Sequence, residues 1–141
     1  MTKFKLGLWV TLAVLLAALG GWIYGWSGTS ALRSEVAAKR LRLQLLEART
    51  QILDARVNVY TVNFGNASKN LEFAKPPLRA ARELLEQQGQ RELSAKLESA
   101  LQQASEAQQL ASKFNQDANS RAGDASRLID EVLQATRPAG Q

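Results

Sequence analysis

Residues 32–74 read LRSEVAAKRLRLQLLEARTQILDARVNVYTVNFGNASKNLEFA, and the spacing of their apolar side chains decides the fold class. Steps of four and three alternate through Leu32, Val36, Lys39, Leu43, Leu46, Thr50, Leu53, Val57, Tyr60, Phe64, Ala67, Leu71 and Ala74, with Lys39 and Thr50 the two polar members. A 3.5-residue repeat keeps one stripe of a helix turned toward a neighbour, whereas a half-buried strand alternates every second residue. The stretch therefore predicts a helix with a coiled-coil seam, and with it an all-α fold.

The same period returns downstream. Leu97, Ala100, Ala104, Ala107, Ala111, Phe114, Ala118, Arg121, Ala125, Leu128, Val132 and Ala135 form a second seam, mostly alanine and apolar except at Arg121. Alanine buries little area but lets two helices lie close together. At about 25 cal/mol per Å² of apolar surface, such a seam leaves little surplus over chain entropy, so association is expected. Turn chemistry marks bends near residues 63–66 (Phe64-Gly65-Asn66), 75–77 (Lys75-Pro76-Pro77), 88–90 (Gln88-Gly89-Gln90) and 122–124 (Gly123-Asp124). Either of the first two is the hairpin bend: one near Gly65 makes residues 67–88 a second helix with a proline kink, and one near Pro76 makes the first helix very long. The alternating VNVYTVNF segment looks like a strand by itself but has no strand to pair with. The expected architecture over residues 31–137 is an antiparallel helical hairpin or bundle with coiled-coil character, followed by a frayed tail at 138–141.

Upstream of the seam lies LGLWVTLAVLLAALGGWIYGW, residues 6–26, with no charged side chain. As a helix it would span about 31 Å, close to the hydrocarbon thickness of a bilayer. It predicts a single transmembrane helix. The short basic tail at 1–5 resembles the start of a secretory signal, but the apolar run extends beyond a cleavable segment. Trp22, Tyr24 and Trp26 at its far end suit an interfacial belt. The expectation is an uncleaved signal-anchor, with the N-terminus cytoplasmic and the helical ectodomain periplasmic or extracellular. Ala13, Ala17, Gly21 and Gly25 recur every four residues and mark a candidate helix–helix contact face within lipid. Ser27-Gly28-Thr29-Ser30 is read as a joint.

Composition removes whole classes of chemistry. There is no histidine and no cysteine in the 141 residues, so Cys/His metal sites, thiol nucleophiles, disulfides and imidazole acid–base work are excluded. No phosphate-binding glycine loop and no nucleophile-elbow motif occurs. No cofactor, metal, catalytic residue or small-molecule substrate is expected. Of the net charge of +5, an excess of three arises in residues 27–58, where six basic side chains stand against Glu35, Glu47 and Asp54. With no interleaved aromatics, Lys39, Arg40 and Arg42 are better candidates for lipid headgroup contact than for nucleic acid.

The seam residues named for a partner helix are Leu32, Val36, Leu43, Leu46, Leu53, Val57, Tyr60 and Phe64 in the first series, and Leu97, Ala104, Ala111 and Phe114 in the second. The expected protein is a non-enzymatic, single-span helical adaptor, scaffold or accessory subunit of an envelope membrane complex, with a protein partner or a second copy. The alternatives are a coiled-coil envelope tether, similar to phage inner-membrane spanins in layout alone, and a sensor coupled through a partner span.

Overall fold

The computed structural model describes residues 32–137. The apolar run at 6–26, its small-residue stripe and aromatic belt, the joint at 27–30 and the tail at 138–141 lie outside the described residues. No helix within them is long and apolar enough to cross a membrane. The described chain is all-helical: α1 at residues 32–60, α2 at Phe64–Gln87, α3 at Arg91–Ser112 and α4 at Ala118–Ala135. By contact density the chain divides at Val36, and residues 37–137 are the described part of the larger unit.

Cross-helix polar pairs fix the topology of that unit. Between α2 and α3, Ser68 meets Ser112, Lys75 meets Gln108 and Arg82 meets Glu98, so the partner number falls as the first rises. Between α3 and α4, Lys96 pairs with Glu131 and Arg121 with Glu106. Arg49 and Arg56 of α1 reach Asp130 and Asn119 of α4. Each of these three pairs is antiparallel, and short turns join successive helices into a four-helix bundle.

All three turns use one device. After α1, the Asn63 amide donates to the Asn58 carbonyl and the Val62 amide to Val59. After α2, Gln90 donates to Leu85 and Gly89 to Glu86; after α3, Asn115 donates to Leu110 and Phe114 to Ala111. This paired bonding is the Schellman helix stop, which needs one residue in the left-handed region. That residue is Val62 (φ 60°), Gly89 (φ 73°) and Phe114 (φ 57°) in turn. The Asn63 side chain then caps α2 by accepting from the Asn66 amide.

The core runs the length of the bundle, and half of its buried apolar residues are alanine. In α2 large and small residues alternate as Phe64, Ala67, Leu71, Ala74, Leu78, Ala81 and Leu85. The second seam turns inward through Leu97, Ala100, Ala104, Ala107, Ala111, Ala118, Ala125 and Val132. Serine occupies two further buried positions, and Ser94 satisfies its hydroxyl by donating to Glu86.

In three places the structure departs from the sequence expectation. First, α1 buries Leu41, Leu45, Ala48, Ile52, Ala55 and Val59 instead of the stripe through Leu43, Leu46, Val57 and Tyr60. Both series step by four and three, but only the inward one carries alanines that admit the close approach of an alanine-rich neighbour. Second, of the two places for the hairpin bend the chain uses the one just ahead of Phe64, and neither 75–77 nor 122–124 interrupts its helix. Pro76 and Pro77 lie inside α2, and the two carbonyls they leave without a donor belong to Glu72 and Phe73, residues on the exposed side of the helix. Gly123 lies inside α4 with ordinary helical backbone. Third, a turn at 113–117 interrupts the second seam and swings Phe114 out of it.

Candidate interaction surfaces

Two exposed apolar features stand out on a surface otherwise laced with charge. The first is the outward stripe of α1. Leu43 is 66% exposed, Val57 62% and Tyr60 84%; Leu46 is also exposed and Leu53 half-buried. Leu32 and Val36, in the first unit, are exposed as well. On a helical wheel this stripe lies opposite the face buried in the bundle; Leu46 borders the cleft with α4, while Leu43, Val57 and Tyr60 are left to solvent.

The second feature is the end of the bundle formed by the α1–α2 and α3–α4 turns. Val62 is 64% exposed and Phe114 76% exposed, and both occupy the left-handed region. A β-branched residue there is uncommon, since its Cβ crowds the following carbonyl at a cost of about 1–2 kcal/mol. Phe114 stands edge-on to Phe64, with ring centroids 5.9 Å apart, so the α3–α4 turn packs against the first turn of α2, next in sequence to the turn that carries Val62. Nothing in the apolar periodicity marks Val62; its signal in the sequence is Asn63, an N-cap residue directly ahead of the Phe64 helix.

Charged side chains act mainly as ties between helices. Lys75 Nζ donates to Glu72 Oε2 at 2.9 Å and also to Gln108, whose amide donates back to Glu72 at 2.8 Å. These bonds and the lysine charge hold the Glu72 carboxyl below its ordinary value. The Glu131 carboxylate bonded to Lys96 raises that ammonium's pKa, and the Glu98 carboxylate does the same for Arg82. Arg121, expected in a seam, is exposed and 3.5 Å from Glu106. Lys39, Arg40 and Arg42 are exposed on α1, and Lys39 makes an interaction within the chain.

A cleft between α1 and α4 is lined by Arg42, Leu46, Arg49, Asp130, Leu133 and Gln134. It holds a salt bridge, Arg49 Nε to Asp130 Oδ1 at 2.6 Å, and no isolated pair of carboxylates. Among the described residues no group of three or more acidic side chains is placed to hold a metal ion.

Comparison with protein-family models, with curated proteins and with solved structures finds no match to this chain.

Proposed function

We propose that this protein is a non-enzymatic, single-span membrane protein whose helical bundle docks another protein of the same membrane complex, as adaptor or accessory subunit. The uncharged run at 6–26 supports the anchor, and the absence of His and Cys supports the non-enzymatic character. The observation that carries the docking role is the pair Val62 and Phe114. Glycine would relieve the backbone at both positions, yet the chain keeps large apolar side chains there and points them into solvent. Strain of this kind is worth retaining where a side chain contributes to recognition. Along α1, residues 37–60 of the larger unit rise about 36 Å toward the turn that carries Val62.

The test uses the full chain in its membrane. A photo-crosslinking side chain at Val62 or at Phe114 should trap one discrete, different protein, and the same probe at exposed Ser99 should not. Val62→Asn and Phe114→Asn, which suit left-handed backbone, should abolish trapping by a probe at the other site while the bundle stays folded. Release of the chain by alkaline carbonate, or equal trapping at all three sites, would refute the proposal.

A further inference from the structure

Most of the outward stripe of α1 faces solvent, at Leu43, Val57 and Tyr60 above all, and its flanking charges specify what covers it. In heptad notation Leu43, Thr50 and Val57 take position a, and Lys39, Leu46, Leu53 and Tyr60 take position d; in sequence, Val36 and Leu32 continue the same register. The buried face of α1 then falls on positions c and f, directly opposite. Val57 at a and leucine at two of the four d positions follow the pattern that, in parallel coiled coils, favours two strands.

Position g is occupied by Arg42, Arg49 and Arg56, and position e by Arg40, Glu47 and Asp54. In a parallel, in-register pair, each g residue faces the e residue five positions later on the other strand. Arg42 then meets Glu47, and Arg49 meets Asp54, each pair occurring twice by symmetry. Arg42, Glu47 and Asp54 form no ion pair among the described residues, whereas Arg49 already donates its Nε to Asp130, which leaves its terminal nitrogens for the second contact. Upstream, Glu35 and Arg40 stand at the same g–e spacing, although Glu35 also has an interaction in its own chain. An antiparallel pair would instead set g against g, arginine against arginine. Lys39 meets its own copy in the parallel arrangement and is the one position opposing it; its long stem lets the ammonium reach water.

We infer that the exposed face of α1 is covered by a second copy of this chain, in a parallel, in-register two-stranded coiled coil. The inference is independent of the docking role given to Val62 and Phe114: the two surfaces share no residue, and loss of one interaction leaves the other measurable.

The chain has no cysteine, so a single introduced thiol reports on one position. In the full chain, Leu43→Cys and Leu46→Cys should each form disulfide-linked dimers under mild oxidation, and Ser99→Cys should not. Arg42→Glu replaces two attractions with two repulsions and should weaken the dimer by about tenfold or more. The double variant Arg42→Glu/Glu47→Arg should restore it, which a folding defect or a contact at Gly21 and Gly25 could not do. Absence of the Leu43 and Leu46 crosslinks in a chain that keeps its helical circular dichroism would overturn the inference. So would crosslinking indifferent to the charge swap, or a monomer whose stripe is occupied by a different protein.

Discussion

At the scale of single residues, the left-handed positions say most. Gly89 ends α2 without strain, while Val62 and Phe114 end α1 and α3 in the same backbone conformation with side chains that resist it. Stability and apolar exposure are therefore opposed at two of three turns. Val62→Gly is expected to raise unfolding stability by about 1 kcal/mol and Gly89→Ala to lower it by a similar amount, both read from denaturant midpoints. Gly123→Ala should move the other way from Gly89→Ala. Its new methyl would meet the Arg56 guanidinium at an ordinary 3.6 Å, and alanine is about 1 kcal/mol better than glycine inside a helix. The contrast separates a glycine required by backbone geometry from one that is merely tolerated.

At the scale of elements, α1 carries two heptad series on opposite faces. Periodicity correctly marks it as a helix but cannot say which series faces inward, because both repeat at 3.5 residues. The outward series has the larger side chains and stands out by size, although it contains Lys39 and Thr50 and the inward one is apolar throughout from Leu41 to Val59. The inward one, with Ala48 and Ala55 between Leu45, Ile52 and Val59, is matched to alanine-rich neighbours. Leu45→Ala is expected to cost about 2–5 kcal/mol of folding stability, as for other fully buried leucines. Leu43→Ala should change it by less than about 0.5 kcal/mol when measured below the concentration at which chains associate. Equal losses at the two positions would mean that the assigned faces are wrong. The proline pair in α2 makes a related point. A local rule that predicts a break is overridden where Ala74, Leu78 and Ala81 hold the helix against the core on both sides.

At the scale of the whole molecule, a thin core is supplemented by polar ties between helices. Glu72 has a lowered pKa in the folded chain, so its contribution is present above the ordinary carboxylate range and disappears as pH falls through the lowered value. Lys96 has a raised pKa, so its contribution is present below the ordinary lysine range and is lost as pH rises through the raised value. The unfolding midpoint should therefore be level between those two ranges and decline on either side. Glu72→Gln should shrink the acid-side decline alone, and Lys96→Met the alkaline-side decline alone. Glu72 is exposed and Lys96 only half-buried, so added salt should flatten the profile.

What could be read directly from the residues was the class of the fold, the bend at 88–90 and the inward seam of α3; in α4 only Ala118, Ala125 and Val132 of the seam are buried, beside Ala122, Ser126 and Ile129, which the seam did not include. Helical period, helix propensity and a glycine in a turn are local properties of the chain, and they act whatever the neighbours are. Which face of α1 is buried, whether Pro76-Pro77 breaks a helix, and where Phe114 points were settled by tertiary structure. Each depends on how closely two helix surfaces fit, and that free energy does not exist until the surfaces meet.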